Sequence, residues 1–152
     1  MQEHTSPFDL IMLVDDNKIN NIINRKLFEL MHFSKEIVEA GNGLEALDYL
    51  KAAATSNDRI PEVIFLDVYM PLMDGMGFLD EFKNLPVSIL EKSRIIILSS
   101  TLDGNDYRRV HRSPYVVKFL EKPMNKQKLI DTDLKGFREQ YLFNIAGVTH
   151  AA

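Results

Sequence analysis

The side chains best suited to chemistry stand where predicted strands end. Asp15 and Asp16 follow the first apolar run of the chain, and Asp67 follows the third. Ser99 follows the fourth run, and Lys122 follows the fifth. In an open parallel sheet, ligands bind beyond the carboxyl ends of the strands. The sequence therefore predicts that these acidic, hydroxyl and basic groups converge on one site.

The chemistry that such a group of side chains supports is phosphoryl transfer. Three carboxylates in one place repel each other strongly unless a cation lies between them. Mg²⁺ binds a few carboxylates together with water and phosphate oxygens. A lysine and a hydroxyl group can then neutralise and position a phosphoryl group during transfer. An aspartate carboxylate can itself be the nucleophile and form an acyl phosphate.

The elements that must position these groups are five short apolar runs. They are Leu10 to Val14, Glu36 to Ala40, Val63 to Leu66, Ile95 to Leu98 and Val116 to Leu120. Four of the runs are nearly unbroken Ile, Leu, Val and Phe, which is typical of strands buried on both faces of a parallel sheet. The second run is weaker, as expected of an edge strand.

Segments with helical periodicity separate the runs. The first has an apolar stripe, with its asparagines mostly off that stripe. The stripe comprises Ile19, Ile22, Ile23, Leu27, Leu30 and Met31, and the asparagines are Asn17, Asn20, Asn21 and Asn24. Helices are also predicted at Gly43 to Ala53, around Phe78 to Phe82 and at Leu102 to Arg112, with a last stripe of Ile130, Leu134, Phe137 and Tyr141. The alternation predicts an α/β fold, a three-layer (βα)5 doubly wound parallel sheet.

Length and composition limit the classes of protein to consider. The 152 residues fit one domain, and the formal net charge of -4 gives no general attraction to nucleic acid or to an anionic membrane. The absence of cysteine excludes disulfides and thiol catalysis. The polar N-terminus has no signal-peptide character, so a cytoplasmic protein is expected. We predict a flexible N-terminus at 1–8, a single domain at 9–143 and a short tail at 144–152.

The motifs taken together resemble the response regulator receiver family. They are Val14-Asp15-Asp16-Asn17, Leu66-Asp67-Val68-Tyr69-Met70-Pro71 with Asp74-Gly75, Leu98-Ser99-Ser100, and Lys122-Pro123. The resemblance extends from Leu10 to Phe143 and is to stand-alone receivers of the chemotaxis-regulator type. It implies two-component signal transduction and a flavodoxin-like strand order of 2-1-3-4-5.

The resemblance also assigns expected roles to individual residues. Asp67 corresponds to the phosphoacceptor, and Asp15, Asp16, Asp67 and the backbone carbonyl of Tyr69 correspond to the ligands of Mg²⁺, with Mn²⁺ as a substitute. Ser99 and Lys122 match the hydroxyl and lysine that bind phosphate, and Phe119 matches the aromatic switch residue. Tyr69 and Thr101 stand at positions that tune the lifetime of the phosphoryl group, and Pro123 is the candidate for a cis peptide bond.

The partners implied by the resemblance are proteins. The phosphodonor would be a sensor histidine kinase or a histidine phosphotransfer protein. The surface formed by the fourth predicted helix, the fifth strand and the fifth predicted helix would switch and control an unidentified downstream target. The same surface would support a monomer or a weak dimer, and neither nucleic acid nor membrane is expected as a partner.

Two other functions are open to such a chain. The first is an Asp-nucleophile phosphohydrolase of the haloacid dehalogenase type, but Tyr69 stands where those enzymes usually carry a second Asp. The second is a receiver-like module that binds proteins without phosphorylation. Such modules usually lose an acidic residue, the hydroxyl or the lysine, and all are kept here.

Taken alone, Asp15-Asp16 would indicate only the start of a helix.

Overall fold

The structure, a computed structural model, describes residues 6–56, 59–100 and 104–131. Five parallel strands form one sheet in the order β2-β1-β3-β4-β5. The strands are β1 (Phe8–Val14), β2 (Ser34–Ala40), β3 (Val63–Leu66), β4 (Arg94–Ser99) and β5 (Val116–Glu121). This order confirms the predicted doubly wound α/β fold and places the weakest apolar run, β2, at an edge.

Helices cover both faces of the sheet. In the described part of the chain they are α1 (Lys18–Leu30), α2 (Gly43–Ser56), α3 (Gly75–Phe82), α4 (Val87–Lys92), α5 (Gly104–Arg112) and α6 (Lys126–Asp131). Buried side chains of α2 to α5 form one core cluster with the sheet, and those of α1 and α6 form a second. The result is the predicted three-layer arrangement.

A group of phenylalanines fastens α1 to the sheet. The Phe28 ring of α1 lies with its centroid 5.0 Å from that of Phe33 and 4.7 Å from that of Phe65. Phe8 joins the group through Phe33, with centroids 5.2 Å apart. All four rings are buried, so they contribute both apolar burial and favourable ring contacts.

The register of the central strands brings their carboxyl ends level. Val14 of β1 is paired with Leu66 of β3, and Leu66 is paired in turn with Ile97 of β4. The residues that follow Val14 and Leu66 are Asp15 and Asp67. The two carboxylates are therefore neighbours because their strands end together.

Four of the six residues in the apolar stripe predicted for α1 do not face the core. Ile19, Ile22 and Ile23 are 67%, 61% and 56% exposed, and Leu30 is 78% exposed. The buried residues of this helix are Asn21, Asn24 and Phe28. The orientation suggested by periodicity was wrong for the isoleucines, because two asparagines of α1 are buried instead. Phe28 is fully buried in the core, and Leu27 and Met31 pack partly against the same cluster.

The number and limits of the elements also differ from the prediction in places. The described residues contain one helix more than was predicted. This additional helix is α4, in the connection between α3 and β4. The helix α3 ends at Phe82, before Pro86, and Pro86 precedes the first residue of α4. Phe8 was assigned to the flexible N-terminus, but it begins β1 and is buried.

Some predictions fall on residues outside the described part of the chain. These are the role of Thr101, the start of the fourth predicted helix at Leu102, the apolar stripe beyond Asp131, and the limits of the domain and tail at 143 and 144–152. Within the described residues, no helix has the length and apolar character needed to span a bilayer.

Candidate phosphoacceptor site

Three carboxylates meet at the carboxyl edge of the sheet. Oxygen atoms of Asp15, Asp16 and Asp67 all lie within 4.8 Å of one another. Asp15 and Asp67 are only 5% and 8% exposed, whereas Asp16 is exposed. The predicted convergence of the three acidic residues is therefore present in the structure.

Lys122 binds two of these carboxylates. Its Nζ atom lies 2.8 Å from Asp15 Oδ2 and 3.2 Å from Asp67 Oδ2. The backbone of Lys122 donates a hydrogen bond of 2.9 Å to the carbonyl oxygen of Ser99, which fixes the end of β5 beside β4. The peptide bond between Lys122 and Pro123 is cis.

Burial and charge act in opposite directions on the ionisation of the site. Burial raises the pKa of Asp67 above its usual value, and the nearby Asp15 raises it further, while Lys122 lowers it only in part. Burial alone would lower the pKa of Lys122, but its hydrogen bonds and attraction to Asp15 and Asp67 more than offset this and raise it. Lys122 therefore stays protonated and charged, whereas the folded protein still disfavours the ionised form of Asp67.

Asparagines at the start of α1, including its N-cap Asn17, hold Asp15 in place. The backbone N–H of Asn17 donates to Asp15 Oδ1 at 2.9 Å, and the Asn20 side chain donates to Asp15 Oδ2 at 3.3 Å. The Asn21 side chain donates to the Asp15 carbonyl oxygen at 3.0 Å. Sequence reasoning missed these roles, although the spacing of the asparagines after the Asp15-Asp16 pair is a signal that could have revealed them.

The backbone around Asp67 is fixed by close contacts. The N–H of Asp67 donates to the Val14 carbonyl oxygen at 3.0 Å, and the N–H of Val68 donates to Asp67 Oδ1 at 2.8 Å. Gly75 donates to the Val68 carbonyl oxygen at 2.7 Å, and a Cβ atom there would lie 2.6 Å from the Asp67 carbonyl oxygen. Only glycine permits this approach, so Gly75 belongs to the support of the site.

The structure places three of the other predicted site residues, Ser99, Phe119 and Tyr69, on β4, on β5 and in the loop after β3. Ser99 is fully buried at the end of β4. Phe119 of β5 is half-buried and packs against the core cluster beneath α2 to α5. Tyr69 is 49% exposed, and its hydroxyl group donates a hydrogen bond of 3.3 Å to Asp106 Oδ2 of α5. Thr101 lies outside the residues that the structure describes.

The donor set fits a hard divalent cation. The three acidic residues offer only oxygen ligands, and Asp15 and Asp67 are largely removed from water. Lys122 compensates their repulsion in part, since the pKa of Asp67 remains raised. A divalent ion with oxygen ligands would relieve the remaining repulsion, and an acidic cluster that could bind a metal is thus present.

Comparison with known proteins agrees with this fold. The model of the response regulator receiver domain matches residues 11–132, which is most of the chain. The protein belongs to this family, whose members act in two-component signalling.

Two curated relatives illustrate the range of the family. One is the "Probable methanogenesis regulatory protein FilR2" of Methanothrix harundinacea, 29% identical over 127 residues that cover 84% of this chain and 79% of that protein. The other is the sensor histidine kinase CheAY of Helicobacter pylori, 40% identical over 89 residues. That match covers 54% of this chain but only 10% of the kinase.

Comparison with solved structures also finds response regulators. A two-component response regulator from Cytophaga hutchinsonii is 28% identical and superposes with a TM-score of 0.75, covering 87% of this chain and 97% of that one. The phosphorylated cyanobacterial phytochrome response regulator RcpA is 27% identical, with a TM-score of 0.65 and coverage of 89% and 94%. The flavodoxin-like fold is thereby confirmed.

Proposed function

We propose that this protein is a phosphoacceptor switch in which Asp67 receives a phosphoryl group from a histidine of another protein. The observation that carries the proposal is the placement of Asp67. Its buried carboxylate lies 3.2 Å from Lys122 Nζ and within 4.8 Å of carboxylate oxygens of Asp15 and Asp16. Its position gives a nucleophile, a compensating cation and metal ligands in one place.

We assign Mg²⁺ to the acidic cluster, with Mn²⁺ as a substitute. Asp15, Asp16 and Asp67 would hold the ion, together with the backbone carbonyl of Tyr69 that the family resemblance implies. When bound, the ion supplies positive charge to the oxygens of the phosphoryl group. Because Asp15 is already held by Asn17, Asn20 and Asn21, its oxygens need little reorganisation to act as ligands.

Three residues of this chain would take part directly in the transfer step. An oxygen of Asp67 forms a bond to phosphorus as the nitrogen–phosphorus bond of the donor phosphohistidine breaks, and the electron pair of that bond leaves with the imidazole. Lys122 faces the incoming negative charge with its Nζ atom, and the hydroxyl group of Ser99 donates a hydrogen bond to the transferred group. The protein would catalyse only its own phosphorylation and slow dephosphorylation, so it is a switch and not an enzyme acting on a separate substrate.

The exposed stripe of α1 is the surface that we assign to the phosphodonor. Ile19, Ile22 and Ile23 lie more than half exposed on the helix that begins directly after the acidic pair. Contiguous apolar side chains on a surface mark protein contacts. A sensor histidine kinase or a phosphotransfer protein docked there would bring its histidine close to Asp67, and such donors act in the cytoplasm.

The output of the switch would pass through the face formed by α5, β5 and α6. Phosphorylation would draw Ser99 toward the phosphoryl group, and Phe119 would move with it. The two states must differ by only a few kcal/mol for one phosphoryl group to shift their populations. A separate protein target would read the new surface, and the same face would serve any weak dimer.

Intact mass after incubation with Mg²⁺ and a small acyl-phosphate donor tests the proposal. We expect a gain of one phosphoryl group that is lost in the Asp67→Asn variant and in protein treated with a chelator. Asp74→Asn is the matched control, because Asp74 caps α3 and is not part of the acidic cluster. If neither this donor nor a panel of purified histidine kinases modified the protein, a phosphorylation-independent binding module would replace the proposed switch.

A further inference from the structure

We propose that a small cavity beneath the acidic cluster, lined by Asn21 and Asn24 of α1, is a binding site for one internal water molecule that helps to position Asp15 and Asp67. The site lies on the inner side of α1. It is separate from the outer isoleucine stripe of that helix and from the exposed mouth of the acidic cluster.

The size of the cavity suits a single water. It offers about 10 Å³ to the centre of a water-sized sphere, which is roughly what one water molecule needs. Its polar lining comes from Asp15, Asp67, Asn21 and Asn24, and the rest comes from apolar side chains of the three central strands. A dry cavity would require an apolar lining throughout.

Asn21 supplies the main reason to place a water there. Its side chain is 6% exposed and donates to the Asp15 carbonyl oxygen at 3.0 Å, which fixes which way the amide points. Its Oδ1 atom is buried and accepts no hydrogen bond from the part of the chain that is described. A buried acceptor left without a donor is costly, and a water molecule can donate.

The remaining partners of the water are also present. Asn24 is 7% exposed and lines the same cavity, and its amide can both donate and accept. Asp15 and Asp67 line the cavity as well and accept hydrogen bonds. Buried waters usually make two to four hydrogen bonds, and these groups provide that number. The water would thus connect α1 to the acidic residues, with Asn21 and Asn24 as positioning residues.

The first test is direct observation of the water in metal-free, unphosphorylated protein. A high-resolution crystal structure should contain one ordered water within hydrogen-bond distance of Asn21 Oδ1. Nuclear magnetic resonance in solution should detect a long-lived water close to the Asn21 and Asn24 amides. A cavity without a water, or an Asn21 Oδ1 atom bonded to a protein donor, would overturn the site.

The second test compares two substitutions of Asn24. Leucine has the same number of side-chain heavy atoms, but its methyl groups are bulkier than an amide, would take up the small space of the water and cannot bond it. Asn24→Leu should therefore lose the water, whereas the smaller, polar side chain of Asn24→Ser should retain it. Removing an outer group that orients metal ligands typically weakens metal binding about tenfold or more. We therefore expect calorimetric titration to show about tenfold weaker Mg²⁺ binding for Asn24→Leu and little change for Asn24→Ser.

The two tests separate this inference from the proposed function. The Mg²⁺ titration rests on the proposed metal site, but the water is measured without metal. Thermal melts of both variants identify loss of folding, and in that case the observation on the unaltered protein decides. If Asn24→Leu lost the water yet bound Mg²⁺ as tightly as the unaltered protein, the positioning role would be wrong.

Discussion

The Nζ atom of Lys122 lies 3.2 Å from Oδ2 of Asp67, at the edge of the sheet where β3 and β5 both end. This contact only partly compensates the carboxylate, because burial and the neighbouring Asp15 keep the pKa of Asp67 raised. The folded protein therefore holds Asp67 in an environment that disfavours its charge. A charge-neutral replacement should relieve that cost.

Asp67→Asn should stabilise the metal-free protein at neutral pH. The unfolded chain releases the Asp67 proton near the usual pKa of 3.8, while the folded chain keeps it to higher pH. Stability is thus lost as pH rises from 3.8 through the folded pKa, and the loss persists above it. Urea unfolding with a chelator should give a higher midpoint for the variant at neutral pH, and the difference should vanish as pH falls toward 3.8. A lower midpoint for the variant at neutral pH would contradict this account.

Tyr69→Asn should shorten the life of the acyl phosphate several-fold. Tyr69 follows the acceptor by two residues and its hydroxyl group is held by a hydrogen bond to Asp106, and we expect its ring to shield the phosphoryl group from water. The decay of phosphorylated protein measures this directly. Tyr69→Phe is the control, because it keeps the ring and loses only the hydroxyl group, and its decay should change less. Unchanged or slower decay in Tyr69→Asn would exclude the shielding role.

Ile22→Asp should impair transfer from a phosphodonor protein without harming the fold. The side chain is 61% exposed, so the change in unfolding free energy should stay within about 0.5 kcal/mol. Transfer from the protein donor should fall by about tenfold if Ile22 is a principal contact. Phosphorylation by a small donor should be unaffected.

Val87→Asp provides the matched control for Ile22→Asp. Val87 is an apolar helical residue of similar exposure, 65%, but it lies on α4 rather than α1. It should leave transfer from the same donor unchanged. Equal losses in both variants would mean that α1 is not the docking surface.

Gly75→Ala should destabilise the protein by about 1–3 kcal/mol. The added Cβ would meet the Asp67 carbonyl oxygen at 2.6 Å and the Val68 Cα at 2.8 Å, and neither backbone atom can move without shifting Asp67. Gly77→Ala is the comparison, since its Cβ would meet the flexible Met73 side chain at 3.1 Å. Denaturant unfolding of the two variants should separate them, and a similar cost for both would refute the steric argument.

The sequence allowed the fold and the acidic cluster to be predicted for a simple reason. Nearly unbroken apolar runs mark buried parallel strands, and the ends of such strands share one edge of the sheet. Asp15 and Asp67 directly follow such a run, and Lys122 follows one after a single residue, so their convergence needs no knowledge of side-chain packing. The distances from Lys122 to two carboxylates depend on that packing and came only from the structure.

The orientation of α1 could not be predicted from apolar periodicity. Ile22 and Ile23 suggest one inner face, whereas Asn21, Asn24 and Phe28 form another stripe at spacings of three and four residues. Apolar periodicity does not distinguish a stripe that is exposed from one that faces the core. Which of the two stripes faces inward depends on contacts between α1 and the polar groups of Asp15 and Asp67. Those contacts can be seen only in the three-dimensional structure.

The short helix α4 escaped prediction because it has only six residues, too few to establish an apolar period. Its single fully buried residue, Ile89, gives no repeat. The preceding helix, α3, ends at Phe82, and Pro86 then leads directly into α4.

The two ends of α1 are held by different kinds of contact. Near Phe28 the ring is packed between Phe33 and Phe65, which fixes this end tightly. Near Asn21 the helix is held instead by hydrogen bonds from Asn20 and Asn21 to Asp15. We expect a protein that presses on Ile19 and Ile22 to tilt the helix about the Phe28 end, so that even a slight tilt would move the asparagines against the aspartates.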